Sequence, residues 1–266
     1  MESNHQTYSH IDSSERIKDI LDSAETFEEV NEIPTRNRLT YSNGFYVNCS
    51  ALFVDIRGSS QLPAKHSRPV LGKIYRAFLS ECVSVINSNL NCREIFINGD
   101  CVSGILNTPY KEDINAAFYT AATLNSMLHI LNWKLQQKGY TPISCGIGIA
   151  YGRALMLKAG YKGSTINDVI WMGDVVNEAS NLCHQGNKGS RMGLQVSTTV
   201  QNNLNDHYKG LLSPVHLYMP SGIDQYEGSV INLAMEKWLQ EQKENASKLV
   251  NVAEFLRAMN STNYGR

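Results

Sequence analysis

The chain lacks any CxxC pair and any cysteine–histidine spacing that a zinc site needs. Its six cysteines (Cys49, Cys82, Cys92, Cys101, Cys145, Cys183) sit mostly inside apolar runs and read as buried thiols of a reducing compartment. The seven histidines form no pair at metal spacing. Positive charge is not in excess: Lys and Arg total 24 against 25 Asp and Glu, and the pI is near 6.7. That excludes a nucleic-acid-sized basic surface, while a local cluster of cations still suffices for a small anion. No apolar stretch approaches the ~20 residues of a membrane span, so no membrane partner is expected. The opening "MESNHQTYSH" is polar, so no signal peptide is expected and a cytoplasmic location follows. Internal repeats and low-complexity tracts are absent.

What remains is ordinary globular material: 266 residues, 42% hydrophobic and 18% charged, enough for one large domain with extensions. Residues 1–44 look peripheral, with helix periodicity over 13–33 and a connector over 34–44. Residues 45–56 predict the first strong strand. A helix is predicted over 68–89, with Val70, Ile74, Phe78 and Val85 on one stripe. Residues 93–108 predict two strands joined at Asn98-Gly99-Asp100, which is hairpin-turn chemistry. A helix closed by glycine follows over 113–139, a strand pair bent at glycine over 143–160, and another helix over 173–186. Late strands are predicted at 194–197 and 229–234, then a charged amphipathic helix over 235–258. The order implies a βαββαβ core of the α+β class, an antiparallel-type sheet with helices packed on one face. The division is an N-terminal extension (1–44), a central domain (45–235) and a helical tail (236–266).

In "ALFVDIRGSSQL" (51–62), an apolar strand runs directly into a carboxylate. Asp55, Ser59 or Ser60 could simply cap the next helix. Asp100 could equally serve only its hairpin turn. If the two strands are neighbours, however, Asp55 and Asp100 project at one sheet edge and repel unless a cation lies between them. Magnesium and manganese accept such oxygen ligands, and a metal pair about 3.5–4 Å apart suits phosphoryl chemistry. The loop Arg57-Gly58-Ser59-Ser60 offers backbone N–H groups suited to a triphosphate.

Three segments carry a resemblance. "ALFVDIRGSS", "INGDCVSGIL" and "WMGDVVNEAS" resemble, in order and spacing, the "FxDIxGF", "GDxxxxxxG" and "WGxxVNxAxR" segments of class III nucleotidyl cyclases. Within that family the chain looks most like the Pycsar pyrimidine cyclases of bacterial antiphage defence. The resemblance implies a homodimer with active sites shared across its interface. Each site would convert a nucleoside triphosphate to a 3′,5′-cyclic monophosphate and pyrophosphate, and a separate effector would sense the product. It implies two Mn2+ (or Mg2+) ions per site, held by Asp55, Asp100 and the backbone carbonyl of Ile56. Arg57, Gly58 and Ser59 would bind the nucleotide, and Asn177 would orient the ribose. Family members commonly carry an arginine where this chain has Asn181, so either another cation stabilises the developing charge (Lys158 foremost, with Lys162, Lys188 and Arg191 as further choices) or turnover is slow. The base-reading positions are Phe96 and Ile170, where purine cyclases carry polar readers; Phe96 can also be core packing. Apolar walls discriminate by shape and leave purine edges unpaired, which agrees with UTP or CTP. Tyr46 either leans over the base pocket or packs at the strand edge. An adenylyl or guanylyl cyclase with atypical readers, or a degenerate nucleotide-binding regulatory domain, is the alternative.

Overall fold

The computed structural model describes residues 2–162, 166–215 and 225–263, with side chains described as far as 248. Among the described residues nine strands form one sheet: β1 (Thr26–Val30), β2 (Asn43–Ile56), β3 (Cys92–Asn98), β4 (Cys101–Leu106), β5 (Cys145–Gly160), β6 (Asn167–Met172), β7 (Leu194–Ser197), β8 (Ser213–Val215) and β9 (Gln225–Gly228). The helices are α1 (His10–Asp22), α2 (Leu62–Lys65), α3 (Arg68–Asn87), α4 (Lys111–Gln137), α5 (Asp174–Gln185), α6 (Thr198–Asn203), α7 (Asp206–Lys209) and α8 (Leu233–Asn263). The sheet runs β3-β4-β2-β5-β7-β9-β8, with β1 against β2 and β6 against β5. Pairing is antiparallel except for β1–β2 and β5–β7. The α+β architecture with a mostly antiparallel sheet is what the sequence order implies.

The strand period explains the layers. Along β2, Leu52, Val54 and Ile56 point to one face and pack with Ile74 and Phe78 of α3 and Phe118 and Leu124 of α4. Phe45, Val47, Cys49 and Ala51 point to the other and pack with Met156, Trp171 and the α5 residues Val175, Ala179 and Leu182. The helices therefore divide between two faces, which corrects the expectation of a single helical face. The physical reason lies in β5: the missing side chains of Gly146 and Gly148 let α5 lie directly on the sheet. A Cβ on Gly148 would meet the Cys183 amide nitrogen at 2.2 Å, and one on Gly146 the Cys183 carbonyl at 2.2 Å.

Other elements depart from expectation. The predicted helix over 13–33 stops at Asp22, and "TFEEV" instead forms β1, where Phe27 covers the space beside Gly44. Residues 1–44 are not wholly peripheral, since Ile33 and Leu39 are buried in the second core. Arg36 there ties Glu94 of β3 (2.8 Å) to Asp168 of β6 (3.2 Å). The bent strand pair over 143–160 is one continuous strand, β5, because it pairs with β2 along almost its whole length. Residues 229–234 form no strand; Val230 and Asn232 are buried in the approach to α8. Helix α3 buries Ile74, Phe78, Cys82 and Ile86, with Val70 and Val85 only half-buried at the margin of that stripe.

Candidate active site

Asp55 is the penultimate residue of β2 and stands opposite Cys101 on β4 and Gly146 on β5. Asp100 immediately precedes Cys101, in the two-residue turn between Asn98 and Cys101. Gly99 takes the first central position with φ of 62°, the positive value a type II′ hairpin requires. The two aspartates thus lie at one end of the sheet, Asp55 near the end of β2 and Asp100 in the turn that leads into its neighbour β4.

Their electrostatics are those of a strained pair. Burial pushes the Asp55 carboxyl above the usual carboxylate range, and the charge of Asp100 pushes it the same way. Arg57, His184 and Lys188 pull in the opposite direction. Asp100 Oδ2 is buried and has no hydrogen-bond partner among the described residues. A buried carboxylate oxygen without a donor is the position a cation would fill. Two carboxylates fit a hard, oxygen-seeking ion such as Mg2+ or Mn2+. Among the described residues no cluster of three His, Cys, Asp or Glu side chains forms, so further ligands would be backbone carbonyls, water or substrate oxygens. The Ile56 side chain is sunk in the first core, leaving only its backbone for such a role.

The loop after β2 turns at Gly58, with φ of 64°. No carbonyl among the described residues accepts from the amides of Gly58, Ser59 and Ser60. The Arg57 amide, in contrast, is spent on the Ser144 carbonyl (2.7 Å). Its guanidinium turns inward, donating to Asp55 Oδ2 (3.3 Å) and to the Cys183 carbonyl (2.5 Å). Arg57 is therefore placed to hold Asp55 and the end of α5, and the free loop donors begin at Gly58. The Tyr75 hydroxyl lies 3.5 Å from the Ser59 carbonyl and supports the loop from α3.

Phe96 joins the same surface. It stands opposite Ser103, which stands opposite Phe53, two residues before Asp55. Directly opposed residues of an antiparallel ladder share a face, so Phe96, Phe53 and Asp55 do too.

Within one chain the other expected residues lie elsewhere. Tyr46 is roughly 30 Å along β2 from Asp55 at about 3.3 Å per residue. Its ring lies under the Arg153 guanidinium (3.8 Å) and against Phe27, which is strand-edge packing. Lys158 is roughly 40 Å along β5 from Gly146, with its ammonium over the Tyr41 ring. Ile170 pairs with Leu157 at that same far end. Asn177 is exposed on α5, between the two ends. In a single chain Lys158, Ile170 and Tyr46 thus do not meet the aspartates.

Two residues near Asp55 escaped the sequence reading: His184, given no role, and Lys188, named only among several cations. For His184 the signal was helical spacing, because Asn177, Asn181 and His184 recur at intervals of four and three on α5, whereas Lys188 lies beyond the end of that helix.

Comparison with known proteins places this geometry. Residues 42–219 match the adenylate and guanylate cyclase catalytic domain. A uridylate cyclase of Treponema porcinum is 40% identical over 206 residues, covering 77% of this chain and 72% of that protein. A second uridylate cyclase, of Gulbenkiania mobilis, is 41% identical over 191 residues, covering 69% and 74% respectively. Among solved structures, the adenylyl cyclase CyaB from P. aeruginosa superposes with a TM-score of 0.59 at 20% identity, covering 69% of this chain and 94% of that one. The last shares the fold; the first three findings go further, and by them the chain belongs to the adenylate and guanylate cyclase catalytic-domain family and is a nucleotidyl cyclase.

Proposed function

We propose that this cyclase converts a pyrimidine nucleoside triphosphate, UTP before CTP, to the 3′,5′-cyclic monophosphate and pyrophosphate. The observation that carries the reading is the paired Asp55 and Asp100, with Asp100 Oδ2 buried and unpartnered and the Gly58–Ser60 amides without acceptors among the described residues. Asp55, Asp100 and the Ile56 carbonyl are the residues that would hold two Mn2+ or Mg2+ ions. When bound, these ions lower the pKa of the ribose 3′-hydroxyl and neutralise the phosphates.

The protein's share is positioning and charge. The amides of Gly58 and Ser59 meet the triphosphate. Arg57 holds Asp55 in place. The 3′-oxygen attacks the α-phosphorus, pyrophosphate leaves, and the hydroxyl proton passes to solvent. No side-chain nucleophile is required. Phe96 forms an apolar wall on the aspartate face, and the names of the curated relatives favour uracil over cytosine.

A second copy of the chain supplies the rest. Asn177 and Ile170 are distant from the aspartates in one chain, and an antiparallel homodimer would bring them across to orient the ribose and close the base pocket. Lys158 and Tyr46 reach the site only by the same route. The cyclic nucleotide acts as a messenger in antiviral defence in the cytoplasm, sensed by a separate effector. Among the described residues no helix is long and apolar enough to cross a membrane.

The test is incubation of pure protein with UTP and manganese, with products identified by mass spectrometry. Cyclic UMP and pyrophosphate in equal amounts are expected. Tight UTP binding without cyclic product would overturn the reading.

A further inference from the structure

We infer that Lys188, oriented by His184, is the cation of the same chain that holds the pyrophosphate end of the substrate beside Asp55 and Asp100. The inference rests on the cyclase reading above and supplies the positive charge that Asn181 cannot.

The placement is built by the backbone. Helix α5 ends directly on the strand pair that carries Asp55. Cys183 Sγ donates to the Gly146 carbonyl (3.2 Å), and Gly146 is the cross-strand partner of Asp55. Asn187 Nδ2 donates to the Cys145 carbonyl (2.7 Å), and Cys145 is the cross-strand partner of Ile56. His184 and Lys188 each follow one of these two anchors in sequence. Asn187 adopts φ of 54°, a left-handed conformation that asparagine tolerates better than most residues, and this turns the chain to present Lys188. The loop is then closed by the Asn187 amide on the Met192 carbonyl (3.2 Å) and by Ile147 donating to the Gly193 carbonyl (2.9 Å). Lys188 Nζ lies 2.6 Å from His184 Nε2 and 3.1 Å from His184 Nδ1, so the imidazole and the ammonium stand together. Both residues are exposed and open to a ligand.

Independent features mark the same place as anionic-ligand territory. The amides of Gly58 to Ser60 lack acceptors among the described residues, and Asp100 Oδ2, which lacks a donor, calls for a cation that a phosphate would share. The charge of Lys188 acts on Asp55, which sets the ammonium within that carboxylate's field. Lys158, in contrast, lies at the other end of β5. An ammonium offers three donors to phosphate oxygens and no acceptor. As the 3′-oxygen–phosphorus bond forms and the α-phosphorus–bridging-oxygen bond breaks, negative charge collects on the departing pyrophosphate. A fixed cation there stabilises the transition state more than the ground state.

The experiment is calorimetric titration of inorganic pyrophosphate, with Mn2+ present, into the full chain and its Lys188→Ala and Lys188→Arg variants. Loss of one charge-assisted contact predicts binding weakened about tenfold or more in Lys188→Ala, with Lys188→Arg close to wild type. Unchanged melting temperatures would show that the variants fold. Pyrophosphate binding by Lys188→Ala equal to wild type, or no binding by wild type, overturns the inference. Neither nucleobase nor turnover enters this measurement. Pyrophosphate held through Lys188 by a protein that makes no cyclic nucleotide would therefore sink the functional reading and leave this one standing. Subunit mixing gives a second readout. Lys188→Ala combined with Asn177→Ala should regain activity, and combined with Asp55→Asn should not. The reverse pattern would put Lys188 in the opposite half of the site and overturn the inference.

Discussion

Asp55 is held where its charge is costly: burial and the Asp100 carboxylate both disfavour ionisation, and the Arg57 contact at 3.3 Å offsets only part of that. A carboxyl raised in the folded state binds its proton more tightly there than when unfolded. Stability from this group is therefore lost as pH rises from the unfolded pKa, about 4, through the raised folded one. Metal-free Asp55→Asn should accordingly melt higher than wild type at pH 7, on the order of 1–4 °C, with the gain vanishing toward pH 4. Manganese should raise the melting temperature of wild type and leave that of Asp55→Asn nearly unmoved. Cyclic nucleotide formation should be abolished in both Asp55→Asn and Asp100→Asn; near-wild-type turnover in either would remove these aspartates from the metal site. The Cys101 thiol lies between the two carboxylates, and burial first, then their charges, push it up to about 11. Its alkylation by iodoacetamide at pH 8 should be slow in metal-free wild type and several-fold faster in Asp55→Asn, followed by peptide mass spectrometry. At this scale the sequence was legible where a residue's position follows from local chemistry. Asp55 ends an apolar strand, and Asp100 occupies a Gly-containing turn. Arg57 was not legible, because its inward path is set by the vacant side chain of Gly146 across the sheet, on a strand some ninety residues away by sequence.

Helix α5 is the element on which both halves of the proposed site depend, since it carries Asn177 near its start and ends beside Asp55. Its close seat requires glycine at two positions of β5. A Cβ on Gly146 would approach Arg57 Nη2 at 2.3 Å, and one on Gly148 would approach the Ala179 carbonyl at 2.3 Å. Gly148→Ala meets only backbone that cannot swing aside, so a loss of about 1–3 kcal/mol is expected, or more if α5 detaches. Gly146→Ala should lose less stability where Arg57 yields, but should lose turnover as Asp55 and the end of α5 come apart. Chemical denaturation and UTP turnover of the two variants separate these outcomes. The same element shows where periodicity failed. Amphipathic patterning located α3, α4 and α5 within a few residues, because each buries a stripe against the sheet. It could not tell which face of the sheet each stripe would cover. Strand β1 was hidden in a polar stretch because its parallel pairing with β2, with Val30 alone packed on the second core, defines it. Strand β6 went unassigned because its burial of Val169 and Trp171 depends on pairing with β5.

For the whole molecule, the sheet sets the aspartates at one end of β2 and Lys158, Ile170 and Tyr46 at the other, an arrangement that makes one chain insufficient for the proposed site. Mixing inactive Asp55→Asn with inactive Asn177→Ala should therefore restore part of the activity, because one hybrid site would be intact. Continued inactivity despite confirmed subunit exchange would count against shared sites. Much of the order of strands and helices over residues 45–235 was legible from periodicity and turn chemistry, although β6 was missed, the strand pair over 143–160 is one strand and the strand over 229–234 does not form. The proposed contribution of a second copy rests on the family resemblance, since no local pattern reports what a surface meets in another molecule. Base choice is the property on which the whole reading turns. Phe96 offers no hydrogen bond to a purine edge, and each buried polar group left unpaired costs about 1–3 kcal/mol, or roughly tenfold to a hundredfold in selectivity. The decisive measurement supplies ATP, GTP, CTP and UTP together at equal concentration with manganese and reads the cyclic products by mass spectrometry. Cyclic UMP, or failing that cyclic CMP, should dominate; a majority of cyclic AMP or cyclic GMP from the wild-type protein would contradict the pyrimidine assignment.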